Sequence, residues 1–367
     1  MLFSWLQRSP RLKRSLRGLV NTGLRCMPAQ AGYRSRGMIE RFVYRHAGGS
    51  AELPPIFHHW SNTFLLPKLR AAGCESPDDF FLKEVQAHGR SRPGMLRCLS
   101  IASGHCELEI KLARQLSDSG RQDFLVHCVD LNPEILAAAR ARAKAAGVAD
   151  RMLFSVLDLN RAERPGEPFD VVIANQCLHH LVELESTMEF VKGALNGDGI
   201  FLTSDTIGRN GHQLWPEAFE VVGALWADLP DRLKRDRNRG GVARTYVDYD
   251  HSNTGFEGIR AQDILPLLVE HFDFQKVLFY GCIIFPFIER RFGWNYDVAS
   301  DADRAIIERV ARLDEELLEA GRVKPTQILA RMTRKTGMPI DPGVDAANAL
   351  ARRAIRPVES TAVPRCH

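Results

Sequence analysis

Residues 96–130 read LRCLSIASGHCELEIKLARQLSDSGRQDFLVHCVD. Leu96 to Ala102 is a short apolar run broken by small polar residues, the length of a buried strand. A turn of small residues follows, Ala102 to Cys106. Apolar residues then recur at Leu108, Ile110, Leu112, Ala113 and Leu116, the spacing of an amphipathic helix. Glu107 and Glu109 fall in its first turn, where the helix dipole favours acids. A second strand, Phe124 to Val129, ends on Asp130. Strand, turn, helix, strand and terminal acid make half of a nucleotide-binding unit. Gly104 allows a ligand close to the backbone, and Asp130 can accept hydrogen bonds from two ribose hydroxyls.

The glycine-rich dinucleotide fingerprint is missing, since Gly104 is the turn's single glycine. Cradling phosphates needs bare backbone, so a ligand with adenosine and no phosphates fits better. Here the chain resembles the class I S-adenosylmethionine-dependent methyltransferases, over roughly residues 95–335. Their first motif, acid-x-Gly-x-Gly-x-Gly, falls on Ser100, Ala102, Gly104 and Cys106.

The order of later strand ends supports that resemblance. Asn132 as N-cap and Pro133 at the first helical position open an Ala-rich helix that Gly147 closes. A third strand, Met152 to Leu157, ends at Asp158-Leu159. A fourth, Phe169 to Asn175, precedes Gln176-Cys177-Leu178-His179-His180-Leu181, and this FDVVIAN-x-x-LHHL segment is the most specific match. A fifth strand ends on Ser204-Asp205, a sixth spans Phe274 to Tyr280, and a seventh spans Thr326 to Met332. The expected architecture is α/β: a Rossmann-like, doubly wound, mostly parallel seven-stranded sheet with an N-terminal helical cap and a helical insert.

The resemblance implies S-adenosylmethionine as cofactor, held by Ser100, Ala102, Gly104, Asp130, Leu131, Asp158, Leu159 and Asn175. Asp158 would meet the adenine amine. His179 and His180, just past the fourth strand, are the candidates for a catalytic proton transfer, with Asp205, Tyr249 and His251 behind them. Residues 208–260 lose the β–α alternation and carry aromatic and acidic clusters, which suits an acceptor-binding insert. Trp60, Trp215, Tyr249 and His251 are its candidate contacts. The apolar stretch 281–294 reads as a wall of that site or a homodimer surface.

Composition bounds the rest. At 367 residues, 45% hydrophobic and 26% charged, the chain is that of an ordinary globular protein. Its net charge of +4 is concentrated in residues 1–45, which carry Glu40 as their single acid, and the remainder is slightly acidic. That distribution argues against a nucleic-acid partner. Residues 1–45 form a basic amphipathic arm, of which 1–30 suit peripheral contact with an anionic membrane such as the inner face of a cell membrane. Residues 46–92 form a helical cap, 93–335 the main domain and 336–367 a tail without periodicity, expected to be disordered. Eight scattered cysteines and no CxxC pair indicate a reducing cytoplasm and no structural metal. His58-His59 do not change this, because adjacent helical residues point apart.

The acceptor expected is a hydroxyl or amine on a small or lipid-linked molecule. Two alternatives stay open: a non-catalytic Rossmann-like binding or membrane-scaffold protein, and an NAD(P)-dependent oxidoreductase. A Tyr-x-x-x-Lys pair is missing, which disfavours the second.

Overall fold

A computed structural model describes residues 52–90, 92–161, 166–254, 256–335 and 342–358. The arm at 1–45, with the stretch 1–30 expected to contact a membrane, lies outside the described residues.

The cap comes first: α1 (Pro55–Trp60), a π-helical turn (Ser61–Leu65), α2 (Leu66–Ala71) and α3 (Pro77–Arg90). Ser76 caps α3 by accepting from the Asp79 amide at 3.0 Å. The main domain then runs β1 (Leu96–Ile101), α4 (Glu107–Asp118), β2 (Phe124–Asp130), α5 (Pro133–Ala145) and β3 (Met152–Val156). It continues through β4 (Phe169–Asn175), α6 (Leu184–Ala194), β5 (Leu195–Thr206), α7 (Pro216–Asp228) and α8 (Ala261–His271). Its last elements are β6 (Phe272–Tyr280), α9 (Phe285–Ile288), α10 (Asp301–Glu319), β7 (Gln327–Arg334) and α11 (Pro342–Ala354). No helix among the described residues is long and apolar enough to cross a membrane.

The strands form one sheet in the order β3-β2-β1-β4-β5-β7-β6. All neighbours are parallel except β7, which runs antiparallel to β5 and β6. This is the expected doubly wound sheet with a closing hairpin. Strand β4 is buried from Phe169 to Ala174, as a central parallel strand covered on both faces must be. The order reverses between β1 and β4, and a ligand crevice is expected there, beyond their carboxyl ends.

Buried Glu84 of α3 pairs with Lys276 of β6 and Arg331 of β7, each at 2.6 Å, and fixes the cap to the sheet. Two features depart from the sequence reading. The tail is not structureless, because α11 packs on β6 with Ala351 fully buried. There the register of β6 slips between Phe274 and Lys276. Asn348 Oδ1 accepts the Phe274 amide at 3.0 Å. Glu109 is not a solvated dipole partner. It is 3% exposed, and burial pushes it up to about 7.

Candidate active site

Two cavities open along the carboxyl edge of the sheet. The first follows from the turn after β1. Ala102, Gly104 and Cys106 all take left-handed backbone conformations, with φ of 44°, 52° and 54°. These are the three glycine positions of the family motif, so the turn keeps its shape although two of its residues carry a Cβ. A built Cβ at Gly104 would meet nothing within 4 Å, which leaves the space above the turn clear. Asp130 holds the turn in place. Its Oδ2 accepts the Gly104 amide at 2.9 Å and its Oδ1 accepts the Asn132 amide at 2.8 Å. Each oxygen keeps a second lone pair for a ligand hydroxyl.

This cavity, about 250 Å³, is lined by Ala102, Gly104, Asp130, Leu131, Asp158, Leu159 and Asn175 among others. Seven of the eight residues expected to hold cofactor therefore meet there. Ser100 does not. It lies one turn of strand further back, 1% exposed, and donates to Glu109 Oε1 at 2.6 Å. The acid that the motif lacks at position 100 has its counterpart at Glu109, behind the turn. His105, Ile135, Asn160 and Phe256 also line the cavity and were not anticipated. Asn160 ties two strand ends together: its amide donates to Asp158, and its Oδ1 accepts the amides of Val182 and Glu183. Apolar side chains with half-buried carboxylates at two successive strand ends suit an adenosine with free ribose hydroxyls.

The second cavity, about 520 Å³, meets the first at Gln176, which lines both. Gln176 has φ of 51°, and its amide donates to Ser204 O at 2.7 Å. Residues of the expected insert line this cavity, including His212, Tyr246, Asp248, Tyr249, His251 and Glu257. So do Phe57 of the cap and Phe285, Arg291 and Phe292 from the apolar stretch. That stretch is therefore a cavity wall on one side and core on the other, with Phe287 and Ile288 fully buried. Arg291 is paired with Asp236 at 2.8 Å, and its guanidinium stacks 4.1 Å from the Tyr249 ring.

The two tryptophans stand behind this wall. Trp60 is 4% exposed and packs edge-on against Phe57 and Phe285. Trp215 sits before α7 with Lys324 Nζ 4.4 Å from its ring centroid. Neither lines the cavity.

The two histidines part company. His179 lines the larger cavity and His180 the smaller. His179 Nδ1 lies 2.6 Å from Asp205 Oδ1. Asp205 is completely buried, and its carboxylate also accepts the amides of Cys177, Leu178 and Thr206. Burial alone would raise the Asp205 carboxyl, but His179 beside it and these amides hold it below its ordinary value. His180 is pushed down to about 4 by burial and then by His179, so its ring is neutral at physiological pH. Glu257 is driven upward by burial, yet the His212 hydrogen bond and the three nearby imidazoles hold it at about 2. Burial lowers His251.

Four non-glycine residues among those described have positive φ: Ala102, Cys106, Gln176 and His212. Ala102, Gln176 and His212 line these cavities and Cys106 ends the turn after β1, and backbone strain tends to concentrate at such sites.

Residues 99–201 match the family model described as "Methyltransferase domain". No curated protein matches the chain. Among solved structures, similarity extends to a putative sarcosine dimethylglycine methyltransferase from Galdieria sulphuraria (13% identity, 71% of this chain, 85% of that chain, TM-score 0.41). It extends as well to geranyl diphosphate methyltransferase in complex with SAM (12% identity, 70% and 84%, TM-score 0.41). The DszA carbon methyltransferase is matched at 17% identity over 35% of each chain, TM-score 0.32, so this chain spans about a third of that protein's length. The matched family segment carries β1 through most of β5, the strand-end acids and the border between the cavities. With that segment inside a sheet of order β3-β2-β1-β4-β5-β7-β6, residues 99–201 are a methyltransferase domain, the kind of domain for which S-adenosylmethionine is the methyl donor.

Proposed function

We propose that the chain transfers the methyl group of S-adenosylmethionine to a hydroxyl or amine of a small or lipid-linked acceptor bound in the larger cavity. The observation that carries this reading is the meeting of the two cavities at Gln176, with His179 fixed by Asp205 on the acceptor side. Asp130 takes the ribose hydroxyls, Asp158 and the Leu159 backbone take adenine, and Asn175 stands at the methyl-bearing end. Bound there, the cofactor supplies a positively charged sulfur as leaving group. The protein's part is to align the acceptor along the methyl–sulfur axis, exclude water and accept or release one proton.

The larger cavity supports a mixed acceptor. Phe57, Phe285 and Phe292 form an apolar side, while His179, His212 and Glu257 form a polar end. Its volume lies within the range of small-molecule sites. The basic residues 1–30 suit delivery of the enzyme to a lipid-linked acceptor, and co-sedimentation of full-length and 1–45-deleted protein with anionic vesicles checks that role.

The first test is calorimetric titration with S-adenosylmethionine, S-adenosylhomocysteine and NADH. Micromolar binding of the two sulfur ligands and none of NADH is the expected result, and NADH binding alone would overturn the reading. Radiolabelled methyl transfer to hydroxyl, amine and carbon acceptors then separates the acceptor classes.

A further inference from the structure

Three side chains far apart in sequence converge at the polar end of the larger cavity. His179 follows β4, His212 lies in the loop after β5, and Glu257 closes the insert. His212 Nε2 lies 2.9 Å from Glu257 Oε1, and His179 Nε2 lies 3.8 Å from the same oxygen. One ligand atom from each of the three residues lies within 4.8 Å of the others.

The surroundings favour ligation over a chance cluster. The Asp205 carboxylate can only accept from His179 Nδ1, so the proton is assigned to Nδ1 and the lone pair to Nε2, on the side of the cluster. A carboxylate behind an imidazole is the support that metal-binding histidines generally have. The loops bearing the other two groups are locked together. Gly211 donates its amide to Gly258 O at 2.8 Å, and a Cβ at Gly258 would stand 3.0 Å from the His212 nitrogen. His212 itself is held at φ 55°. Side chains brought together at such conformational cost are arranged for a ligand.

We propose that His179, His212 and Glu257 form a divalent-cation site of the zinc class, whose open position takes the acceptor's hydroxyl oxygen. Two imidazoles and one carboxylate are a ligand set for zinc and neighbouring transition ions, and three protein ligands leave room for a substrate oxygen. This assignment rests on the larger cavity being the acceptor site. The cation-bound hydroxyl releases its proton to solvent. An oxygen lone pair then forms the O–CH₃ bond while the C–S bond breaks, its electron pair staying on sulfur, so one proton is released per methyl moved.

The test uses tag-free full chain stripped with a chelator and titrated with cobalt(II), followed by calorimetry and visible absorption. One cobalt per chain is expected. Its affinity should fall at least about 100-fold in His212→Ala and in Glu257→Gln, with thermal unfolding and S-adenosylmethionine affinity unchanged. Glu257→Gln guards against the first variant failing to fold. No cobalt bound by the folded protein, affinity in both variants unchanged from that of the unsubstituted chain, or a cobalt–thiolate band from the cysteines would each overturn the site. Folded protein that binds S-adenosylmethionine but no cobalt loses the cation and keeps the methyltransferase reading. Protein that binds cobalt but not S-adenosylmethionine does the opposite.

Discussion

The two cavities share an edge of the sheet and are built in opposite ways. The cofactor cavity is made almost wholly from strand ends and the few residues after each: 102–105, 130–132, 157–160 and 175–177. The larger cavity gathers the cap, the loops after β5, the insert, the stretch after β6 and the start of β7. The first inherits its geometry from strand register, so it is local. The second exists only after long-range packing has brought those segments together. On the proposed reading, acceptor specificity lies in parts that the smaller cavity does not constrain.

Asp205 joins the two, and its removal is expected to have the largest effect. Asp205→Ala would leave the amides of Cys177, Leu178 and Thr206 without their acceptor in a fully buried place. A loss of about 3–5 kcal/mol in urea unfolding is expected. Asp205→Asn should be milder, since its carbonyl in the Oδ2 place can serve the Cys177 and Leu178 amides while its NH₂ opposes the Thr206 amide and the His179 Nδ1 proton. That variant should keep cofactor affinity and lose methyl transfer. Equal loss of both would show that the cavities are one unit.

Glu109 tests the cofactor side from behind. Its folded-state value of about 7 exceeds the ordinary 4.5, so the fold favours the protonated form. Its contribution is fully present below pH 4.5 and is lost as pH rises to about 7. Glu109→Gln should therefore be close to neutral at pH 4.5 and stabilising by about 3 kcal/mol at pH 8. A pH-independent difference in unfolding free energy would mean that the carboxylate is ionised throughout.

Asp130→Ala sharpens the contrast next. It removes the acceptor of the Gly104 and Asn132 amides and the proposed partner of the ribose hydroxyls. S-adenosylmethionine affinity should drop about 100-fold by calorimetry, the worth of two charge-assisted hydrogen bonds. Cobalt binding at the other cavity should not change. Coupled losses would contradict separate construction.

How much of each cavity could be read beforehand follows from the same difference. Asp130, Asp158 and Asn175 end apolar runs of strand length, so position alone gave them away. Asn132 announced itself as an N-cap, and its Oδ1 does accept the Glu134 amide. The insert was legible as a break in β–α alternation, but not its contents: His212 and Glu257 are 45 residues apart with no shared motif. Trp60 and Trp215 drew attention as large aromatics, yet size favours burial as much as contact with a ligand. Helix α11 was hidden by a tail rich in Ala, Arg and Pro, although Val344, Ala347, Asn348, Ala351 and Ala354 do recur at helical spacing.

The turn itself offers the smallest and cleanest test. Ala and Cys give no sequence signal of positive φ, so the loss of glycine at 102 and 106 reads as loss of the motif. The backbone instead keeps the left-handed conformation at both. A left-handed Cβ costs about 1–2 kcal/mol, and glycine's extra freedom in the unfolded chain returns part of the gain. Ala102→Gly, at a half-buried position, should thus stabilise by roughly 0.5–1 kcal/mol without weakening cofactor binding. Cys106→Gly gains the same relief but deletes a side chain 1% exposed, with Sγ 3.3 Å from Ser103 Oγ. Its packing loss should outweigh the relief and destabilise by about 1 kcal/mol. If both substitutions destabilise alike, the strain at the turn is not there, and the cofactor cavity owes its shape to Asp130 alone.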